Sequence, residues 1–173
     1  RNGVTVGNPV RAGFAAVPAP AQRLAGRDGA LRVLVLGGSQ GARALNERVP
    51  QALAQMSAER RPQVWHQAGR TLEVAEQSYR EANVDARLDA FIEDMPAAYA
   101  WADLVLCRSG AMTVAELAAA GCASLLVPFP FATDDHQTRN GEYLVGAGAA
   151  EMIAESALTP ERLADRLSAL TAD

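Results

Sequence analysis

The sequence predicts an α/β fold, a Rossmann-like doubly wound parallel sheet of about six strands. From residue 31 onward, short apolar runs alternate with segments of helical periodicity, the order in which βα units build a parallel sheet. Two of these runs lead directly into turns of small residues that open helices. The 173 residues, 49% of them hydrophobic, are enough to bury one good core.

The predicted strands are apolar nearly throughout, as expected where helices cover both faces of a sheet. They fall at residues 32–36, 63–67, 87–91, 104–107, 124–127 and 150–153. The helices are predicted at 42–56, 71–82, 97–102, 113–120, 137–146 and 160–170. Thr159 provides an N-cap before Pro160, which suits the first position of the last helix. Pro50 is expected to kink or interrupt the first helix, because proline has no N–H to donate.

Residues 1–28 are predicted to be a connector that leads into a domain of residues 29–173. The connector has little helical periodicity and contains several glycines together with Pro9, Pro18 and Pro20. The chain has no Met at its start and stops just after a predicted helix. We therefore expect a domain fragment of a longer protein.

Composition argues against several classes of function. The formal net charge is -4 and both signs are scattered, so no basic stripe is available and nucleic acid is not an expected partner. The longest apolar runs are far shorter than the roughly 20 residues that span a bilayer. Cys107 and Cys122 form no metal or disulfide framework, which fits a reducing cytoplasm, and neither is expected to be a nucleophile. No metal site and no cofactor are predicted.

The first strand runs into a glycine-rich turn, Gly37-Gly38-Ser39-Gln40-Gly41-Ala42, that opens a helix. Backbone N–H groups and the helix dipole can hold a phosphate there, and Ser39 adds a hydroxyl. The alternative is a tight turn whose small residues serve packing. A dinucleotide site would add an acid at the end of the second strand, which here ends in His66-Gln67. A P-loop needs a lysine, and all sixteen basic residues are arginine.

A second turn of small residues, Ser109-Gly110-Ala111-Met112-Thr113, follows the fourth strand and opens another helix. In a parallel sheet both turns lie at the carboxyl edge, so they can converge on one diphosphate. Glu116, about one helical turn further on, points into the same crevice. Its carboxylate can accept hydrogen bonds from the two hydroxyls of a ribose. The alternative is an acid that only complements the helix dipole.

Five phrases carry a resemblance to a known family. They are Gly7-Asn8-Pro9-Val10-Arg11, the glycine-rich turn, Phe91-Ile92-Glu93-Asp94-Met95, the stretch from Ser109 to Glu116, and Val127-Pro128-Phe129 leading to His136-Gln137 and Asn140. In this order they resemble the C-terminal domain of the MurG family of GT-B glycosyltransferases, which have two Rossmann-like domains. The resemblance implies inverting transfer of N-acetylglucosamine from UDP-N-acetylglucosamine to lipid I. The product, lipid II, belongs to peptidoglycan synthesis at the cytoplasmic face of the bacterial inner membrane.

The resemblance also implies a donor-binding site. Its residues would be Arg11, Gly38, Ser39, Phe91, Ile92, Met95, Ala111, Met112, Thr113, Val114, Ala115, Glu116, His136, Gln137 and Asn140. Uracil would lie against the backbone of Ile92, and the diphosphate would bind Ser39 and the helix after Gly110. Glu116 would hold the ribose hydroxyls. Gln137 and Asn140 would face the sugar ring, and the alternative is that these neighbours on one helix face are simply solvated.

Three further residues have implied roles near the nucleotide. Phe91 and Met95 would shape the uracil pocket, and Arg11 would reach the nucleotide from the connector. His136 departs from the family pattern, which has paired glutamines before this helix. Its part in sugar recognition is therefore open, and a solvated loop histidine is the alternative.

The same resemblance places the acceptor site, the membrane contact and the presumed general base in an N-terminal domain. That domain and a final crossover helix are expected to be absent from residues 1–173, so no catalytic residue is predicted here. Two other functions stay open at this point. One is a non-catalytic UDP-sugar-binding subunit beside a separate membrane partner, and the other is a UDP-sugar epimerase of the same architecture.

Overall fold

A computed structural model describes residues 7–132 and 135–170, which contain a six-stranded sheet. The strands are β1 (Arg32–Leu36), β2 (Gln63–Gln67), β3 (Arg87–Asp89), β4 (Leu104–Cys107), β5 (Ala123–Leu126) and β6 (Ala150–Met152). Each neighbouring pair is parallel, in the order β3-β2-β1-β4-β5-β6. The predicted fold class is confirmed. β3 ends two residues before the predicted position, and the chain beyond it turns to line a cavity.

Helices precede, connect and follow the strands. They are α1 (Pro20–Arg23), α2 (Arg43–Gln55), α3 (Leu72–Ala82), α4 (Met95–Trp101), α5 (Ala111–Ala120), α6 (His136–Gly146) and α7 (Pro160–Leu170). The N-cap predicted for α7 is confirmed, because Oγ1 of Thr159 accepts a hydrogen bond from the backbone of Arg162 at 3.2 Å. Pro50 lies inside α2, which continues to Gln55, so it does not interrupt the helix, and the alternative of a kink stays a prediction. A single missing backbone donor does not end a helix whose inner face is well packed.

The core lies on both faces of the sheet. Along β1, Val33 and Val35 point into one apolar cluster, which α2, α3 and α7 cover. Leu34 and Leu36 point into the other cluster, together with residues of α4 and α5. This alternation follows from the two-residue period of a strand. All four side chains are almost completely buried, so β1 is a central strand.

The strand order creates a crevice between β1 and β4. Leu36 and Cys107 are register partners at the carboxyl ends of these two strands. The chain then goes to α2 on one face and to α5 on the other. At such a switch point the two connecting turns diverge and leave room for a ligand.

The segment before β1 is anchored on the domain. A short 3-10 turn, Ala12–Ala16, buries Phe14 in the cluster beside α4 and α5. Arg23 in α1 donates hydrogen bonds to the carbonyl oxygens of Ala120 and Gly121, at 2.8 and 3.2 Å. The boundary expected near residue 28, and the role of this segment as a connector, stay predictions. No helix within 7–132 and 135–170 is both long and apolar enough to cross a membrane.

Candidate functional site

A cavity of about 270 Å³ opens at the carboxyl ends of β1 and β4. Its lining residues are Arg11, Leu36, Gly38, Ser39, Gln67, Phe91, Ile92, Met95, Arg108, Met112, Thr113 and Glu116. Nine of these were predicted as donor-binding residues. The switch point of the sheet thus brings together side chains that are more than one hundred positions apart in the chain.

The glycine-rich turn forms one wall of the cavity, and backbone hydrogen bonds fix its shape. Gly37 donates to the carbonyl oxygen of Gln67 at 2.9 Å, and Gly41 donates to that of Gly38 at 3.0 Å. Gly69, from the loop after β2, packs directly beneath the turn. A Cβ atom at Gly69 would lie 2.3 Å from the backbone nitrogen of Gly41, so only glycine fits there. The turn therefore presents the exposed Gly38 and Ser39 to the cavity.

The first turn of α5 forms the opposite wall. Gly110 is the N-cap and supplies no side-chain hydrogen bond to the helix. The first N–H groups of α5 have no acceptor within the helix, and the helix dipole adds partial positive charge at this end. Met112 and Thr113 line the cavity here. The wall thus offers an environment that favours an anion.

Glu116 is a nearly buried carboxylate in the lining, and its side chain is 7% exposed. Its Oε1 lies 3.8 Å from Nε of Arg11, and its Oε2 accepts a hydrogen bond from the Tyr99 hydroxyl at 3.4 Å. Burial raises the pKa of this carboxyl above its usual value, while Arg11 and then Tyr99 oppose the rise. A carboxylate held in this way can accept hydrogen bonds from paired hydroxyl groups of a ligand.

An apolar wall completes the cavity. Phe91 is 59% exposed, whereas Ile92 and Met95 are buried. Asp94 lies between them in sequence and caps α4, because its Oδ1 accepts a hydrogen bond from the backbone nitrogen of Ala97 at 3.0 Å. This cap starts α4 at Met95, two residues before the predicted position. The wall suits the flat, apolar face of a base.

The remaining predicted residues lie outside this cavity. Ala111, Val114, Ala115 and Asn140 line an adjoining groove between α5, α6 and the segment before β1. His136 is exposed at the first turn of α6, next to Gln137.

The two predicted amides brace loops at the edge of the site. Gln137 accepts a hydrogen bond at Oε1 from the backbone nitrogen of Phe129 at 3.0 Å. Asn140 donates from Nδ2 to the carbonyl oxygen of Ser109 at 3.2 Å. These bonds use Oε1 of Gln137 and Nδ2 of Asn140, and each amide also has a second polar group. Their contact with a sugar therefore stays a prediction.

Sequence reasoning missed Leu36, Gln67 and Arg108 as lining residues. Arg108 donates hydrogen bonds to the carbonyl oxygens of Val127 and Pro128, at 3.1 and 3.2 Å. It also pairs with the carboxylate of Glu155. The position of Arg108 directly after β4 could have identified it as a lining residue. The positions of Leu36 and Gln67 at the carboxyl ends of neighbouring strands could have identified these two residues.

His66 lies in the interior, away from the cavity lining. It is fully buried in β2, and its Nδ1 lies 3.1 Å from the Tyr79 hydroxyl. Burial lowers the pKa of His66 to about 3, so the ring is neutral near pH 7. Within the described part of the chain, no group of three or more His, Cys, Asp or Glu side chains could hold a metal ion.

The sequence of this chain was compared with models of known protein families and with curated relatives. The model of the glycosyltransferase family 28 C-terminal domain matches residues 32–173. A relative from Marinobacter nauticus is 56% identical over 168 residues, covering 96% of this chain and 46% of the relative. One from Nitrosococcus oceani is 59% identical over 168 residues, covering 96% of this chain and 47% of the relative. Both are described as UDP-N-acetylglucosamine–N-acetylmuramyl-(pentapeptide) pyrophosphoryl-undecaprenol N-acetylglucosamine transferase.

Solved structures agree with this comparison. The crystal structure of Acinetobacter baumannii MurG superposes with a TM-score of 0.82 at 41% identity, covering 91% of this chain and 46% of that protein. A calicheamicin glycosyltransferase superposes with a TM-score of 0.65 at 22% identity, covering 86% of this chain and 36% of that protein, and supports the fold alone. The chain thus spans about half the length of the curated relatives it matches.

Proposed function

Because this chain belongs to the family of glycosyltransferase family 28 C-terminal domains, we propose that it is the donor-binding half of an inverting N-acetylglucosaminyltransferase. The donor is UDP-N-acetylglucosamine, and the acceptor is lipid I, which becomes lipid II in peptidoglycan synthesis. The observation that carries the proposal is the convergence of the glycine-rich turn, the start of α5 and Glu116 on one cavity at the switch point of the sheet.

The two turns bind the diphosphate of the donor. Ser39 and the backbone of its turn contact one side, and the first N–H groups of α5 contact the other. Such N–H groups and the helix dipole stabilise negative charge in place of a metal ion. When the sugar leaves the diphosphate, charge accumulates there, so the same groups stabilise the leaving group.

The nucleoside lies across the cavity between the apolar wall and Glu116. Uracil packs against Phe91, Ile92 and Met95, and the backbone of Ile92 faces its polar edge. The carboxylate of Glu116 accepts hydrogen bonds from the ribose hydroxyls, with Arg11 close to the same group. The second polar group of each amide, Nε2 of Gln137 and Oδ1 of Asn140, faces the sugar ring.

The other half of the reaction belongs to an N-terminal domain. Attack by the acceptor hydroxyl needs a general base, and the buried His66, which is bonded to Tyr79, cannot reach the cavity. The acceptor site and the peripheral contact with the inner membrane lie in that domain. Holding donor and acceptor in one attack geometry accounts for roughly 7 to 11 kcal/mol of a barrier, which one half of a cleft cannot supply.

A transfer assay tests the division of roles. Radiolabelled UDP-N-acetylglucosamine and lipid I are incubated with this chain, with the N-terminal half of a relative, and with both. We expect labelled lipid II only when both halves are present, in trans or on one chain. Transfer by the 173-residue chain alone, near the rate of a whole enzyme, would contradict the proposal. Interconversion of free UDP-sugars without transfer would point to an epimerase.

A further inference from the structure

Tyr99 lies directly behind the carboxylate that faces the cavity. It belongs to α4 and is completely buried, so its hydroxyl reaches no solvent. The one side-chain hydrogen bond of that hydroxyl in the described structure goes to Oε2 of Glu116, at 3.4 Å. A buried phenol at this place therefore acts on the site only through Glu116.

The carboxylate of Glu116 has a different neighbour at each oxygen. Arg11 approaches Oε1 from the segment before β1, and Tyr99 donates to Oε2 from α4. The last torsion of a glutamate side chain is soft, so a carboxylate without partners takes many orientations. Contacts at both oxygens select one orientation. Each oxygen still has a lone pair that can accept a hydrogen bond from a ligand.

The ring of Tyr99 is itself held in place. It packs edge-to-face on Phe14, with 5.1 Å between the ring centroids. Phe14 is buried in the 3-10 turn that starts directly after Arg11. Tyr99 therefore joins α4, α5 and the segment before β1 around a single carboxylate. A buried carboxylate with a neighbour at each oxygen is suited to a preorganised ligand contact.

We propose that Tyr99 is a positioning residue for ribose recognition. The phenol hydroxyl of Tyr99 orients the carboxylate of Glu116 toward the two hydroxyl groups of the ribose. This inference rests on the proposed function, in which Glu116 binds the ribose. Tyr99 does not touch the nucleotide. If the hydrogen bond served only the fold, removing the hydroxyl of Tyr99 would leave the protein's preference for a complete ribose unchanged. If Tyr99 positions Glu116, that preference depends on the hydroxyl.

The test compares two ligands on four chains by titration calorimetry. The ligands are UDP and its 2′,3′-dideoxyribose analogue, and the chains are wild type, Tyr99→Phe, Tyr79→Phe and Glu116→Ala. Tyr79 is the matched control, because it is also a buried tyrosine but bonds to His66 on the other side of the sheet. We expect Tyr99→Phe to weaken the binding of UDP about tenfold, which is the scale for losing a hydrogen bond to a charged group, and to leave the binding of the analogue unchanged. Tyr79→Phe should change the affinity for neither ligand.

The outcomes separate this inference from the proposed function. If wild type prefers UDP over the analogue and Glu116→Ala loses that preference, the assignment of Glu116 to the ribose is supported. If Tyr99→Phe then keeps the full preference, the positioning role of Tyr99 is wrong while the proposed function stands. A Tyr99→Phe chain that does not fold also overturns the positioning role, because the hydroxyl would then serve the fold. Absence of UDP binding by wild type would instead refute the proposed function.

Discussion

Asn140 donates a hydrogen bond from its side-chain Nδ2 to the main-chain carbonyl oxygen of Ser109 at 3.2 Å, and this contact ties α6 to the turn after β4. It places the amide at the entrance to α5, beside the proposed diphosphate site. The side-chain oxygen of Asn140 and the NH₂ group of Gln137 place one acceptor and one donor on neighbouring turns of α6. Such a pair suits the hydroxyl and amide groups of N-acetylglucosamine.

Replacing Gln137 or Asn140 by alanine should weaken the binding of UDP-N-acetylglucosamine more than the binding of UDP. Hydrogen-bond discrimination appears only when the contacted group is present in the ligand. Calorimetric titration of both ligands on each variant measures the difference. Equal losses for the two ligands would mean that these amides only brace loops.

Replacing Glu116 by alanine should weaken UDP binding by about 1 to 3 kcal/mol, the range for hydrogen bonds to a charged partner. The free energy of unfolding, from urea denaturation, should be measured on the same variant. Unchanged affinity for UDP together with a lower free energy of unfolding would mean that Glu116 only stabilises the helix and does not bind the ligand.

Replacing Gly69 by alanine should cost both stability and UDP affinity. Gly69 has φ +65, and a Cβ there would lie 2.4 Å from the carbonyl oxygen of Gly38 and closer still to Gly41. Gly26 is the matched control, with φ +66 but nothing within 4 Å of its Cβ position. Gly26→Ala should cost about 1 to 2 kcal/mol from backbone conformation alone and leave affinity unchanged. Equal effects of the two substitutions would contradict the packing of Gly69 beneath the turn.

The fold should lose stability in acid through His66. Burial lowers the pKa of His66 to about 3, whereas a histidine in an unfolded chain titrates near pH 6.5. Between these values only the unfolded chain gains the proton, so stability falls as the pH drops from about 6.5 toward 3, by up to about 1.4 kcal/mol per pH unit.

Urea denaturation at a series of pH values measures this slope. In His66→Gln the contribution of this residue should disappear. The slope of the free energy of unfolding against pH should then decrease by the amount that corresponds to about one proton taken up on unfolding. If wild type and His66→Gln share the same slope across this range, the histidine is not the group responsible.

Much of the fold could be predicted because it depends on local patterns. The apolar runs gave three strands with their observed ends, and the cap at Thr159 fixed the start of α7. The parts that were missed depend on contacts between distant residues. Arg108 reaches the carbonyl oxygens of Val127 and Pro128, and no local pattern encodes such a contact.

Part of the cavity lining was also predicted from the sequence, while its role in donor binding stays a prediction. The glycine-rich turn and Glu116 were found because small residues and an acid after a strand have a direct chemical meaning. One partner of Glu116 was missed, because Tyr99 has the sequence pattern of an ordinary core residue in a short helix. The bracing of loops by Gln137 was missed for the same reason, because it depends on how α6 meets the loop after β5.

The central claim, that this chain binds a UDP-sugar donor, is tested most directly by one calorimetric comparison. UDP-N-acetylglucosamine, UDP and NAD are titrated into the 173-residue chain under identical conditions. The account predicts saturable binding of both uridine ligands and none of NAD, because the second strand ends in Gln67 and offers no acid to a dinucleotide's ribose. Tight binding of NAD with no response to either uridine ligand would contradict it.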